Sequence, residues 1–390
     1  MFAQDWLLDE TGNWAGFKQD DNGNGTWDLN QSRTSNDVNE ITDITETAGS
    51  SWVTPAYSAA GNMTTMPQPA TPTSSYTATY DAWNRLVKIV DGSNTVAEYQ
   101  YDGAKRRIVQ KEYISGTLDQ TRHLYYTEPS KWQVVEERID SSADPNRQFV
   151  WGQRYIDDLI LRDRDTTGNG TLDERLYALQ DANWNVTSLI DTSGTVQQRF
   201  NYDAYGMPEF LTSGFAASAN TKDFEVLYAG YRFENATTLF HVRNRVLNVA
   251  LGCWVQRDPI GLAFAYNLYA YVDLAPLNQI DPSGLKPFRD CFSDYDTCVQ
   301  QADIDFVDCD RKCCKFKGAR RVRCTVLCQI WHNIDMDVCW FGFVACISTS
   351  DEVAMALAAG LVTLAVILAL LEPTPAGEAA LAGLLAGAAL

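Results

Sequence analysis

Residues 80–107 read YDAWNRLVKIVDGSNTVAEYQYDGAKRR. A Tyr-Asp pair opens the stretch at Tyr80-Asp81, and a second follows at Tyr101-Asp102, 21 residues on. Between them Val87 and Ile89 alternate with polar positions, the period of a strand with one buried face. Each unit predicts a β-hairpin in the order turn, strand, turn, strand, and recurrence at a fixed period of this size marks a repeat architecture. A degenerate third copy stands at Tyr202-Asp203-Ala204-Tyr205-Gly206. The repeated Tyr and Asp have two readings: stacked aromatics and turn caps inside a coiling sheet, or a sugar-binding surface. The first is the expected one.

On the N-terminal side, residues 1–75 are polar and turn-rich, with a loop over residues 20–26 and three prolines between Thr64 and Ser75. Short strands between turns are expected there. On the other side, residues 132–139, 149–155 and 159–161 predict strands. Residues 163–174, DRDTTGNGTLDE, fit the spacing of a calcium loop. Asp163, Asp165 and Thr167 stand at positions 1, 3 and 5, Gly168 at 6 and Glu174 at 12, with Asn169 as a further oxygen donor. Strand-like flanks exclude a helix–loop–helix hand, and the alternative is a hairpin turn rich in Asp, Thr and Gly. A similar loop from Asp20 has Gln31 at position 12 and is the weaker match.

The chain has 390 residues and a net charge of −19, which allows two or three domains and argues against nucleic acid as a general partner. Three His in all disfavour His-based triads and zinc catalysis. The opening MFAQDWLLDE shows neither a basic region nor an apolar run of the secretory kind. Because the chain begins inside what reads as a repeat, it is expected to be a fragment or the last piece of a split gene.

Further along, residues 245–285 read RVLNVALGCWVQRDPIGLAFAYNLYAYVDLAPLNQIDPSGL. Two Asp-Pro-x-Gly-Leu units, at 258–262 and 281–285, follow an Arg that lies 13 residues before the first Asp. Each unit alone is a turn, since Pro presets φ and Gly accepts positive φ. Together with Arg245 they could bring two carboxylates and a guanidinium to one place. Two close carboxylates do not both ionise easily, so one holds a proton while the other activates water. Cys253 reads as a buried strand residue rather than a nucleophile.

The Tyr-Asp units and this closing segment resemble the YD repeats and the repeat-associated core of RHS proteins. The resemblance covers roughly residues 76–285 and is strongest over 226–285. It implies a mainly β fold in which YD-repeat hairpins coil into a spiral β-sheet shell. It also implies an aspartate-protease-like self-cleaving site, with Asp258 and Asp281 as the acid/base pair and Arg245 as the supporting cation. The cut would fall between Leu285 and Lys286. Where the family usually has Arg-Tyr-Tyr-Asp-Pro, this chain has Arg245-Val246-Leu247-Asn248-Val249.

After Leu285 the composition changes. Nine Cys between positions 291 and 346 are spaced as a mirror image about residues 318 and 319, with steps of 7, 11 and 4. Those steps keep Cys on one helix face. They predict a disulfide-stapled α-helical hairpin over residues 286–350, with nested pairs Cys291–Cys346, Cys298–Cys339, Cys309–Cys328 and Cys313–Cys324, leaving Cys314 over. The alternative is a metal or iron–sulfur site built from Cys309, Cys313, Cys324 and Cys328. Disulfides imply an oxidising compartment. Residues 353–371 are 19 without a charge, long enough for an apolar helix that crosses a membrane. The expected division is 1–75 irregular, 76–225 repeat, 226–285 core, 286–350 Cys-rich and 351–390 apolar tail.

The function expected is that of the C-terminal part of an RHS protein that cuts itself and frees a toxin-like module, secreted or at the cell surface. No cofactor is required, and calcium at the loop is the one candidate. The rival is a non-catalytic adhesion protein with a carbohydrate or cell-surface partner, held to the membrane by its tail.

Overall fold

The computed structural model describes residues 2–127, 132–261 and 266–285. These are mainly β, arranged in three antiparallel sheets. The first has four strands, Ala3–Leu8, Trp14–Asp20, Leu29–Ser35 and Ile41–Ala48. The second has fourteen, running in sequence order from Ala56–Tyr57 to Pro208–Leu211. The third has four, Arg232–Glu234, Leu239–Val242, Arg245–Asn248 and Cys253–Trp254. The expected lead-in over residues 1–75 is therefore divided. The prolines obscure a strand Met63–Gln68 whose Met63 and Met66 are fully buried, and this strand belongs to the large sheet. The strand expected over 149–155 runs instead as Arg147–Trp151. Residues beyond it turn back, with Gly152 N–H donating to the Asp158 carbonyl and Arg154 paired to the Asp158 carboxylate.

The repeat is explained by its wiring. In each unit the Tyr hydroxyl donates to a carbonyl of the preceding hairpin: Tyr80 to Met63, Tyr101 to Leu86 and Tyr202 to Val186. The following Asp carboxylate accepts the N–H groups two and four residues on, Trp83 and Arg85 from Asp81, Ala104 and Arg106 from Asp102. That turn needs a left-handed residue at its third step, supplied by Asn84 (φ 61°) and Lys105 (φ 66°). Arg85 and Arg106 pair with their own Asp and lie over the ring of the next repeat aromatic, Tyr101 and Tyr126. Asp9, Asp181 and Asp191 build the same turn without a preceding Tyr, which is why the Tyr-Asp pattern passes over them. Replacing Tyr101 by Phe should remove one such tie and lower stability by about 1 kcal/mol, read as a urea midpoint shift. An unchanged midpoint would mean the tie contributes nothing.

The third sheet packs on the buried face of the large one. Its strand Arg245–Asn248 is buried at every position, so no alternation marks it in the sequence. Contacts reach it from along the large sheet: Tyr76 to the Ala236 carbonyl, Tyr99 to Glu234, and Glu137 to Arg232. Val246 and Leu247, standing where the family has two Tyr, enter the apolar core directly. Asn248 donates to the Pro67 carbonyl and accepts the Leu251 N–H.

The chain divides between Pro287 and Phe288. The expected disulfides, the helical hairpin, Lys286 and the apolar tail lie outside the described residues. Among the described residues no helix is long and apolar enough to cross a membrane.

Candidate active site

Arg245 opens the buried strand of the third sheet and is itself buried. Its side chain lies over the Trp254 ring, 4.4 Å from the centroid, which fixes the plane of the guanidinium. One nitrogen, Nη2, serves both turn carboxylates: Asp258 Oδ2 at 3.1 Å and Asp281 Oδ2 at 3.3 Å. Nε donates to the Gly284 carbonyl, and Nη1 donates to the Leu268 carbonyl at 3.3 Å. The chain thus folds back so that the two Asp-Pro-x-Gly turns meet on a single cation.

The two carboxyls differ in setting. Asp258 keeps a small exposed edge, and its Oδ1 accepts the Ile260 N–H at 2.9 Å. Burial pushes its pKa up, the charge of Asp281 adds to this, and Arg245 opposes. Asp281 is 1% exposed. Its Oδ1 accepts the Ser283 hydroxyl at 3.0 Å and the Leu285 N–H at 3.1 Å. Its own N–H donates to the Tyr231 hydroxyl at 2.7 Å, which also accepts from Tyr271. Tyr231, Tyr271, Trp254 and Ser283 are site residues that sequence reasoning missed. Tyr231 lies near the start of the 226–285 core segment, and Ser283 is the unspecified letter of the motif. A cavity of about 150 Å³ adjoins the site, lined by Tyr231, Arg243, Arg245, Gln256 and Pro259 among others, with room for water.

On the same cavity lies His241, buried against Glu234 at 3.1 Å and edge-on to the Tyr99 ring. Burial pushes its pKa down from 6.5 to about 4, and the Arg107 charge adds to the effect. Glu234 is held near 2 despite burial, by hydrogen bonds from His241 and Tyr99 and the charge of Arg107. Between pH 6.5 and about 4 the unfolded chain binds a proton at position 241 that the folded chain refuses. Stability should therefore fall as pH drops through that window. Urea midpoints at neutral pH and at about pH 5 check this, and His241→Gln should flatten the difference. Cys253 is partly buried, and desolvation pushes its thiol up to about 12, as suits an inert strand residue.

The loop at 163–174 is a hairpin turn between strands Leu159–Arg164 and Glu174–Gln180. The structure does not bring its candidate ligands together. Asp163 takes Arg175 bidentately, at 2.7 Å for each bond. Asp165 accepts the N–H groups of Thr167, Gly168, Asn169 and Gly170. Asn169 accepts the Thr171 N–H, and Glu174 pairs with Arg162, Arg164 and Lys222. The Asp20 loop repeats this design, with Asp20 accepting from Gly23, Asn24 and Gly25. Among the described residues no group of three or more His, Cys, Asp or Glu is arranged to hold a metal.

A wired hairpin repeat followed by this buried core is the arrangement that the resemblance to RHS-repeat proteins implies, and the chain carries an RHS repeat. The RHS Repeat family model matches residues 80–116, the stretch in which the Tyr-Asp pairs stand. The chain is 26% identical over 215 residues to the tRNA3(Ser)-specific nuclease WapA of Bacillus spizizenii, which covers 54% of this chain and 8% of that protein. It is 26% identical over 209 residues to the probable deoxyribonuclease RhsA of Dickeya dadantii, covering 53% of this chain and 12% of that one. The crystal structure of TcdB2-TccC3-Cdc42 shares the fold, with a TM-score of 0.54 and 18% identity over 73% of this chain and 13% of that one. The chain spans a small part of the length of each of these relatives.

Proposed function

We propose that this chain is the C-terminal part of an RHS-repeat protein whose core cuts itself once, between Leu285 and Lys286, and frees residues 286–390 as an effector. The observation that carries the reading is the shared cation: one Arg245 nitrogen lies within 3.3 Å of both turn carboxylates. One of those carboxylates also holds the Leu285 N–H. In the reaction, Asp258 holds the proton, as its raised pKa favours. Asp281 takes a proton from water, whose oxygen attacks the Leu285 carbonyl carbon. The Leu285–Lys286 bond breaks, and the proton of Asp258 passes to the leaving nitrogen. Arg245 limits the repulsion between the carboxylates and holds the Gly284 carbonyl next to the reacting bond.

The test is the intact mass of the purified chain, with a new N-terminus expected at Lys286. The adhesion reading predicts one uncut mass. The target of the freed module is a separate part of the proposal. Two relatives carry nuclease names, whereas the acidic balance of this chain counts against nucleic acid and its apolar run at 353–371 favours a membrane. Assaying residues 286–390 for vesicle leakage and for cleavage of tRNA and DNA separates these. Calcium at the 163–174 loop would have to displace Arg175 from Asp163 and three cations from Glu174.

A further inference from the structure

The hairpin that delivers Arg245 has a two-residue turn, Arg243-Asn244, between the paired residues Val242 and Arg245. Such a turn favours Asn or Gly at its positive-φ position, yet Arg243 sits there at φ 39°. Nothing in the turn itself calls for an arginine. Its use lies in the opposite segment. Arg243 Nη1 donates to the Pro282 carbonyl. The Asn244 N–H and Nδ2 both donate to the Ser283 carbonyl, at 3.2 and 3.1 Å. Arg245 Nε donates to the Gly284 carbonyl. Three successive residues thus hold three successive carbonyls, and the next carbonyl in line is that of Leu285. The fit is close: a Cβ on Gly284, which has φ +68°, would stand 2.4 Å from the Val242 carbonyl oxygen.

Arg243 is in turn held from behind. Asp157 takes it bidentately, at 2.7 and 3.0 Å. Asp157 is buried just ahead of the strand Leu159–Arg164 of the large sheet. Its backbone carbonyl accepts Gln180 Nε2 from the next strand of that sheet, Glu174–Gln180. The posture of Arg243 therefore depends on two strands of the repeat region being in place.

Resting on the self-cleavage reading, we infer that Arg243 and Asn244 are positioning residues for the cut, and that the Asp157–Arg243 pair makes cutting conditional on formation of the large sheet. Neither residue touches the Asp258–Asp281 pair in the reaction. They aim the backbone at it, and misplacing a reacting bond by an ångström lowers a rate by roughly 100-fold.

The experiment follows the cut fraction over time after synthesis of the full chain in a cell-free system. It compares the parent, Asp281→Asn, Arg243→Ala and the near-isosteric Asp157→Asn. The expected result is a fast cut in the parent and none in Asp281→Asn. Arg243→Ala and Asp157→Asn should slow the cut by roughly 10- to 100-fold, with the shape of the pH profile unchanged. Added methylguanidinium should restore part of the rate in Arg243→Ala. Parental rates in both positioning variants would overturn the inference while leaving self-cleavage standing. Slowing that tracks a collapsed melting temperature and ignores methylguanidinium would also overturn it, in favour of a structural role. A parent that does not cut defeats the underlying reading and this inference with it.

Discussion

Asp281→Asn is expected to leave the chain as a single mass where the parent gives two, the larger ending at Leu285. The substitution keeps the size of the side chain and most of its hydrogen bonds. The amide oxygen can still accept from Ser283 or from the Leu285 N–H. What it removes is the charge opposite Asp258: under the proposed mechanism that takes away the base for water, and it also removes a field that raises the pKa of the other carboxyl. General base catalysis contributes about 100- to 10,000-fold, so loss within one synthesis cycle should be complete on a mass spectrum. Folding is checked by an unchanged near-ultraviolet spectrum from Trp254 and Tyr271, which pack at the site. Two masses from a well-folded Asp281→Asn chain would assign the cut to other residues.

The largest loss of stability is expected from Glu137→Gln. Glu137 is fully buried in the strand Val134–Ile139 and meets three arginines. Arg122 and Arg147 come from the flanking strands of the large sheet, and Arg232 from the third sheet. Burial would push its carboxyl up, but the three guanidinium groups hold it well below the usual range. Removing that charge leaves the buried Arg122 and Arg147 and the partly buried Arg232 close together, with Glu112, Asp223 and Glu225 as the carboxylates that remain beside Arg122 and Arg147. Breaking a buried ion cluster from one side costs about 3–5 kcal/mol, a large fraction of the stability of a domain. Urea unfolding should show a correspondingly lower midpoint with an unchanged slope. A loss below about 1 kcal/mol would mean that water reaches the cluster and screens it.

The fold was legible where local chemistry repeats. Tyr80-Asp81 and Tyr101-Asp102 announce both strand and turn, because the tyrosine tie and the aspartate turn lie close to them in sequence. Arg245, Asp258 and Asp281 were legible because their residue types and spacing survive even though the letters after Arg245 differ from the family pattern. What stayed hidden was set by tertiary contact. Val246 to Asn248 carry no alternation, since both faces of that strand are buried. Met63 and Met66 were masked by prolines. The loop at 163–174 has the spacing of a calcium site, but its acidic groups are engaged by Arg175 and Arg162, whose positions the sequence alone does not give.

The tyrosine ties and arginine stacks have a consequence for how such a chain can change over time. Each hairpin is fastened to the one before it and to little else on its outer edge, so stability there behaves as a string of nearest-neighbour couplings. A whole unit can be duplicated or deleted by recombination at the turn without rewiring the remainder. The exceptions are the hairpins that reach inward to the closing segment, through Tyr76, Tyr99, Glu137, Asp157 and Arg162 among others. Unit insertion is therefore expected only in stretches outside those anchor points, while the anchored hairpins keep their distance from the Asp258–Asp281 pair fixed.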